Sequence, residues 1–171
     1  MQTVIQDSRE KRSYHDNIVN GLKERGINLV RSKLYVGDYT LVHDMSTCID
    51  MKQDLQEVYN NVIAQHERFV RECKRAQAAG IRLIILIEQD GISSVQDVSR
   101  WQNPRIAKWE KLRDAHRQGK RMKEKLNPYP PVSSERLAKA MQTISDRYGV
   151  EWRFCAKDKT VDVICEVLNI T

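Results

Sequence analysis

The run Leu83-Ile84-Ile85-Leu86-Ile87 constrains the fold of this chain more than any other stretch, because it is wholly apolar and shows no alternation. A strand with one wet face alternates apolar and polar side chains with period two. A strand covered on both faces by helices has no position at which a polar side chain would meet water. Residues 82–88 therefore read as a buried strand of an α/β layout, and the run is far too short to cross a bilayer. Other elements fall on either side of it. A first strand is expected at 3–6, then a helix opening near Ser13-x-x-Asp16 and closing at Gly26, then a second strand at 27–34. Asp54-x-x-Glu57 has capping-box character and predicts one long helix reaching Ala79 and Gly80. A helix at 134–148 ended by Gly149, a strand at 150–155 and a last helix to about residue 168 complete the pattern.

Between Leu34 and Asp54 two alternating runs are joined by a turn. Asp38, Thr40 and Val42 share one face of the first, with Tyr39 and Leu41 on the other. In the second, Cys48, Asp50 and Lys52 share a face opposite Ile49 and Met51. If His43, Asp44 and Met45 form the hairpin loop, Val42 pairs with Ser46 and Asp38 falls opposite Asp50, with Cβ atoms roughly 5 Å apart. Two carboxylates then face each other beside a lysine. Such a pair fits a Mg²⁺ site, because this ion takes hard oxygen ligands and binds through one or two carboxylates plus waters and substrate phosphate. Lys52 would orient the attacking water or offset charge in the transition state. The same pattern fits a surface hairpin with an ordinary ion pair, and the spacing leaves both readings open.

A chain of 171 residues is a comfortable single domain that needs no covalent staples. Its four cysteines lack Cys-x-x-Cys spacing and its histidines do not cluster, so neither a zinc site nor a disulfide framework is indicated, and a reducing cytoplasm is the expected home. No signal segment is apparent, and a soluble protein without a membrane partner is expected. The net charge of +6 and pI near 9.2 suit a polyanionic partner. That excess is concentrated. The stretch 91–131, punctuated by Pro104, Pro128, Pro130 and Pro131, reads as an insertion, and residues 103–127 hold nine basic side chains against three acidic ones. Arg105, Lys108, Arg113, Arg117, Lys120, Arg121 and Lys123 are therefore candidate nucleic-acid contacts, although a charge run also forms an ordinary solvated face. Trp101 and Trp109 sit in or beside the run, where an indole would either stack on an unpaired base or pack the insertion onto the domain.

Four segments, VIQDSREKRS, VGDYTL, IDMKQDL and LIILIEQDG, in this order and at these separations, resemble the XPF-type nuclease domain, a branch of the PD-(D/E)XK nuclease superfamily. The resemblance covers most of the chain. It implies a restriction-endonuclease-like central mixed sheet flanked by helices, in one domain over 1–171, with the basic insertion at about 91–131 before the last helix-strand-helix unit. The family pattern is Asp-x-Arg-Glu after the first strand, then Gly-Asp-Tyr, then Glu-Arg-Lys-x-x-x-Asp. Residue by residue, this falls on Asp7, Arg9 and Glu10, on Gly37, Asp38 and Tyr39, and on Asp50, Met51 and Lys52. HERFVRECKRA resembles the family's helix carrying an arginine, here Arg68, with Glu72 where relatives often have glutamine. Three departures stand out: Asp50 has a shorter arm than the usual glutamate, Met51 replaces an arginine, and Gln56 replaces the trailing aspartate.

The resemblance implies a Mg²⁺-dependent DNA endonuclease, with Mn²⁺ able to substitute. Asp38 and Asp50 would hold the metal, Asp7 and Glu10 would complete the acidic cluster, and Lys52 would assist the attacking water. Arg9 and Arg68 would contact phosphate. Asp7 has a plainer reading as a turn cap, and Arg9 as a clamp on the carboxylates. Tyr39 is expected in the core, and His15, His43, His66 and His116 on the solvated surface. Relatives imply a structure-selective substrate (flap, fork or junction DNA, branched or partly single-stranded), homodimerisation, and a stand-alone bacterial or phage-encoded protein. A non-catalytic DNA-binding or scaffold subunit is the rival, and an RNA-directed protein a third reading.

Overall fold

The computed structural model describes residues 2–9 and 12–170, leaving aside the side chains of Arg12 and Ser13. Six strands, β1 (Thr3–Asp7), β2 (Asn28–Ser32), β3 (Tyr39–Leu41), β4 (Thr47–Lys52), β5 (Arg82–Glu88) and β6 (Glu151–Cys155), form one sheet in the order β2-β1-β3-β4-β5-β6. β1 runs parallel to β2, β3 runs antiparallel to both its neighbours, and β4, β5 and β6 are mutually parallel. This is the mixed sheet expected. The helices are α1 (Arg12–Glu24), α2 (Leu55–Tyr59), α3 (His66–Ala78), α4 (Pro104–Arg117), α5 (Ser134–Tyr148) and α6 (Thr160–Val167). No helix among the described residues is long and apolar enough to cross a membrane.

β5 shows why its sequence cannot alternate. Leu83, Ile85 and Ile87 pack into a core shared with α2, α3 and α5, while Ile84 and Leu86 pack with α1 and α6. All five are buried, each contributing about 1.5–3 kcal/mol of apolar burial. The β3–β4 hairpin divides its side chains in the same way: Tyr39, Leu41, Ile49 and Met51 join the α1/α6 layer, and Cys48 joins the other. Tyr39 pairs with Ile49 and Thr40 with Cys48, the expected register, so one further step along the ladder brings Asp38 to Asp50. Gly37 makes that step possible. Its φ is +71°, and a Cβ there would lie 2.9 Å from the Ile49 carbonyl oxygen. The Asp38 N–H donates to this same oxygen at 2.7 Å.

The expected long helix after β4 is broken. Asp54 caps α2 by accepting from the Glu57 N–H at 2.9 Å, but α2 gives way to a π turn at Asn60–Ala64 before α3 begins. The cause is local: the Asn61 side-chain amide donates to the Glu57 carbonyl at 2.7 Å, and the Gln65 N–H reaches back five residues to Asn60. The stretch expected as one insertion divides in two. A 3₁₀ turn at Gln96–Arg100 buries Val98 in the core beside α5, whereas α4 buries none of its residues. α4 is specified instead by Asn103, whose side chain accepts from the Arg105 N–H at 3.0 Å, and by Pro104 in the first turn. The chain after α4 returns along it, joined by Lys108 to Glu124 at 2.8 Å and by the Trp109 indole N–H to the Asn127 carbonyl at 2.8 Å. Helix and return segment form an arm whose base is closed by the Asn103 amide donating to the Val132 carbonyl at 3.4 Å.

Candidate active site

A cleft of about 700 Å³ opens where the β3–β4 hairpin meets α2, the π turn and α3. Asp38, Asp50 and Lys52 line one side of it. Asp38 Oδ2 accepts from the Met51 N–H at 2.8 Å, which fixes the carboxylate against β4. Asp50 Oδ1 accepts from Lys52 Nζ at 2.8 Å, and Glu57 Oε1 lies 3.8 Å from the same ammonium. Asp50 and Lys52 are only 5% and 8% exposed. Asp50 Oδ2 is buried with no hydrogen-bond partner among the described residues. Burial works against the charge on Lys52, but Asp50 and then Asp38 outweigh it and hold the ammonium above the usual lysine range. Lys52 is therefore a permanent cation at neutral pH.

An orphaned, buried carboxylate oxygen on a cleft wall calls for a partner that is not a protein group. The donor set suits a hard divalent cation. Among the described residues no three ligating side chains come together, so an ion at Asp38 and Asp50 would complete its shell with water and substrate oxygens, as Mg²⁺ commonly does.

Asp7 lies one strand away with its N–H on the Asp38 carbonyl, but its carboxylate is fully engaged. Oδ1 accepts from Arg9 Nε at 2.9 Å and from the Arg9 N–H at 2.7 Å, and Oδ2 accepts from Arg9 Nη2 at 2.6 Å and the Leu34 N–H at 2.9 Å. Burial raises the pKa of Asp7, yet these bonds to Arg9 and Leu34 prevail and keep it below the ordinary carboxylate range. Asp7 thus clamps Arg9, which reaches the cleft wall, while Asp7 itself does not line the cleft. Glu10 lies outside the described residues. Glu72, left without a role by the sequence, turns into the cleft and accepts from the Gly37 N–H through Oε1 at 3.1 Å. Burial and then the charge of Asp50 push its pKa up.

Arg68 projects from α3 into the cleft, with Arg71 and Arg75 beside it. The arm divides its basic residues. Arg105 turns inward, donating to Asn60 Oδ1 at 2.8 Å and lying 5.0 Å over the Tyr59 ring, while the Tyr59 hydroxyl accepts from the Val132 N–H at 2.8 Å. Arg113 lies over Trp109 at 5.1 Å and pairs with Asp114, so Trp109 packs the arm together. Lys108 is paired with Glu124. Arg117, Lys120, Arg121 and Lys123 are exposed. One expectation is corrected outright: His15 is buried, not solvated, because the Tyr39 hydroxyl beneath it binds Nδ1 at 2.5 Å in a polar pocket of the α1 layer. Tyr39 itself is core, as expected. All four cysteines are free thiols.

The solved structure of XPF from the archaeon Aeropyrum pernix in complex with DNA has the same fold, with a TM-score of 0.61 at 16% identity over 99% of this chain and 64% of that one. A second structure of XPF from Aeropyrum pernix gives 0.58 at 18% identity over 98% of this chain and 60% of its own length. The chain thus spans less than two thirds of these two relatives. No curated protein sequence matches it. The ERCC4 domain model matches residues 6–167, which include the end of β1, the hairpin, the cleft and the arm, and on that match the chain belongs to the ERCC4 domain family.

Proposed function

We propose that this chain is a divalent-metal-dependent DNA endonuclease, with Mg²⁺ as the natural ion and Mn²⁺ as a substitute. The observation that carries the reading is the unpartnered, buried Asp50 Oδ2 on a cleft that Asp38 and Lys52 also line. A bound divalent ion supplies Lewis acidity at the scissile phosphate and lowers the pKa of the attacking water. The protein supplies the rest. Asp38 is held by the Met51 N–H, so the two carboxylates keep their relative position before substrate arrives. Lys52, charged and therefore without a free lone pair, acts only as a donor: it orients the nucleophile and offsets negative charge as the phosphorus gains its fifth oxygen. Asp7 and Arg9 are positioning residues, Asp7 holding the guanidinium at the cleft edge. Arg117, Lys120, Arg121 and Lys123 on the arm hold phosphates of the flanking DNA. Flap, fork and junction substrates suit a cutter with a separate grip.

The test is cleavage of end-labelled duplex, flap, fork and four-way junction DNA with Mg²⁺ or Mn²⁺. Asp50→Ala and Lys52→Ala should each lower cutting by about 10²-fold or more while DNA binding persists. Salt-sensitive binding with no cutting of any structure refutes the catalytic reading in favour of a scaffold subunit.

A further inference from the structure

The cleft holds a second feature that the chemistry above does not use. Arg68, Arg71 and Arg75 follow an i, i+3, i+7 pattern, so they share one face of α3, and at 1.5 Å per residue the row is about 10 Å long. All three are exposed, all line the cleft, and none of their guanidiniums makes a hydrogen bond or ion pair with the described residues. Other exposed arginines of the domain are committed, Arg82 to Glu151 and Arg153 to Glu166, so the row differs from these and resembles the exposed Arg117 and Arg121 of the arm. The acid best placed to neutralise the row is Glu72, and its Oε1 is spent on the Gly37 N–H. Uncommitted guanidiniums at regular spacing are suited to phosphate oxygens, which they grip through paired N–H donors.

We infer that Arg68, Arg71 and Arg75 form a track for successive phosphates of one unpaired DNA strand entering the catalytic cleft. The inference rests on the endonuclease reading and adds the strandedness of what lies in the cleft. A cleft of about 700 Å³ has room for short stretches of one strand and cannot enclose both strands of a duplex. Duplex is left to the arm, so the two basic surfaces bind different parts of one branched substrate.

The experiment uses the full chain in EDTA, so that nothing is cut, with a fluorescein-labelled single-stranded oligonucleotide and a blunt duplex of equal length. Anisotropy titrations across salt give the slope of log affinity against log salt for each. Arg71→Ala and Arg75→Ala should each flatten the single-strand slope by about 0.7, and the double variant by about 1.4, with the duplex slope unchanged. Lysine at both positions should restore the slope, since the charge is kept. An unchanged single-strand slope in a double variant that melts like the parent overturns the track. An equal flattening for duplex overturns its strandedness. Failure of the unaltered protein to bind either oligonucleotide removes the endonuclease reading as well, a different outcome from failure of the row alone.

Discussion

Replacing Lys52 by methionine isolates what the charged hairpin contributes to stability. Methionine keeps the length and apolar stem of lysine and deletes only the ammonium. In the native protein that ammonium lies 2.8 Å from Asp50 and 3.8 Å from Glu57, and both members of the closer pair are at least nine-tenths buried. Asp50 would then keep a buried charge with neither oxygen partnered. Breaking one side of a buried ion pair costs about 3–5 kcal/mol. For a domain of this length each kcal/mol moves Tm by roughly 2–4 °C, so Lys52→Met should melt about 6–20 °C below the parent in EDTA. Removing both charges should be milder than the sum of the single changes: adding Asp50→Asn to Lys52→Met should recover part of the loss, with a coupling of about 0.5–3 kcal/mol. Thermal melts and urea midpoints for the four proteins of the cycle decide it. If Lys52→Met melts with the parent and the cycle shows no coupling, the buried pair is energetically idle and the argument fails.

Other consequences are as direct. Gly37→Ala should cost about 1–2 kcal/mol from its positive φ alone, with a further loss from the 2.9 Å approach to the Ile49 carbonyl, read as a lower urea midpoint. Hydrogen bonds from Ser93 and then Ser94 lower the Asp97 carboxyl from 3.8 to about 2. Its stabilisation is therefore present above pH 3.8 and lost as pH falls towards 2; the gap between parent and Asp97→Asn in urea midpoints should close over that window, and a gap that persists below it contradicts the assignment. Burial pushes the Cys73 thiol up to about 12, so iodoacetamide at pH 8 should leave it unlabelled in the native protein and label it in urea, as mass spectrometry would report.

Much of this architecture is legible in the sequence because it depends on short-range rules. The unbroken apolar run of β5 could only be a doubly covered strand, and the alternation across the hairpin fixed both its register and the face on which Asp50 and Lys52 lie. What could not be read depends on atoms far apart in sequence or on competition between local hydrogen bonds. The π turn arises because Asn61 claims the Glu57 carbonyl, a choice that Asn-Asn dipeptides do not impose by themselves. It also sets which face of α3 meets the cleft, so of the row only Arg68 was marked by the sequence, and Arg71 and Arg75 were not. The saturation of Asp7 required Leu34, folded back from β2's far end. α4 escaped notice because a helix that buries nothing leaves no apolar periodicity to find.

The closed base of the arm has an evolutionary consequence. Asn103 and Val132 touch, so the chain leaves the domain and rejoins it at one spot, and Arg105 and Tyr59 rivet that spot to the rim of the cleft. A segment whose ends are neighbours can be lengthened, trimmed or exchanged at a cost that grows only with the logarithm of its length, and no strand has to change register. The arm is thus an interchangeable attachment on a fixed chassis. On the proposed function, substrate preference can drift through the attachment while the acids and lysine of the hairpin stay where they are.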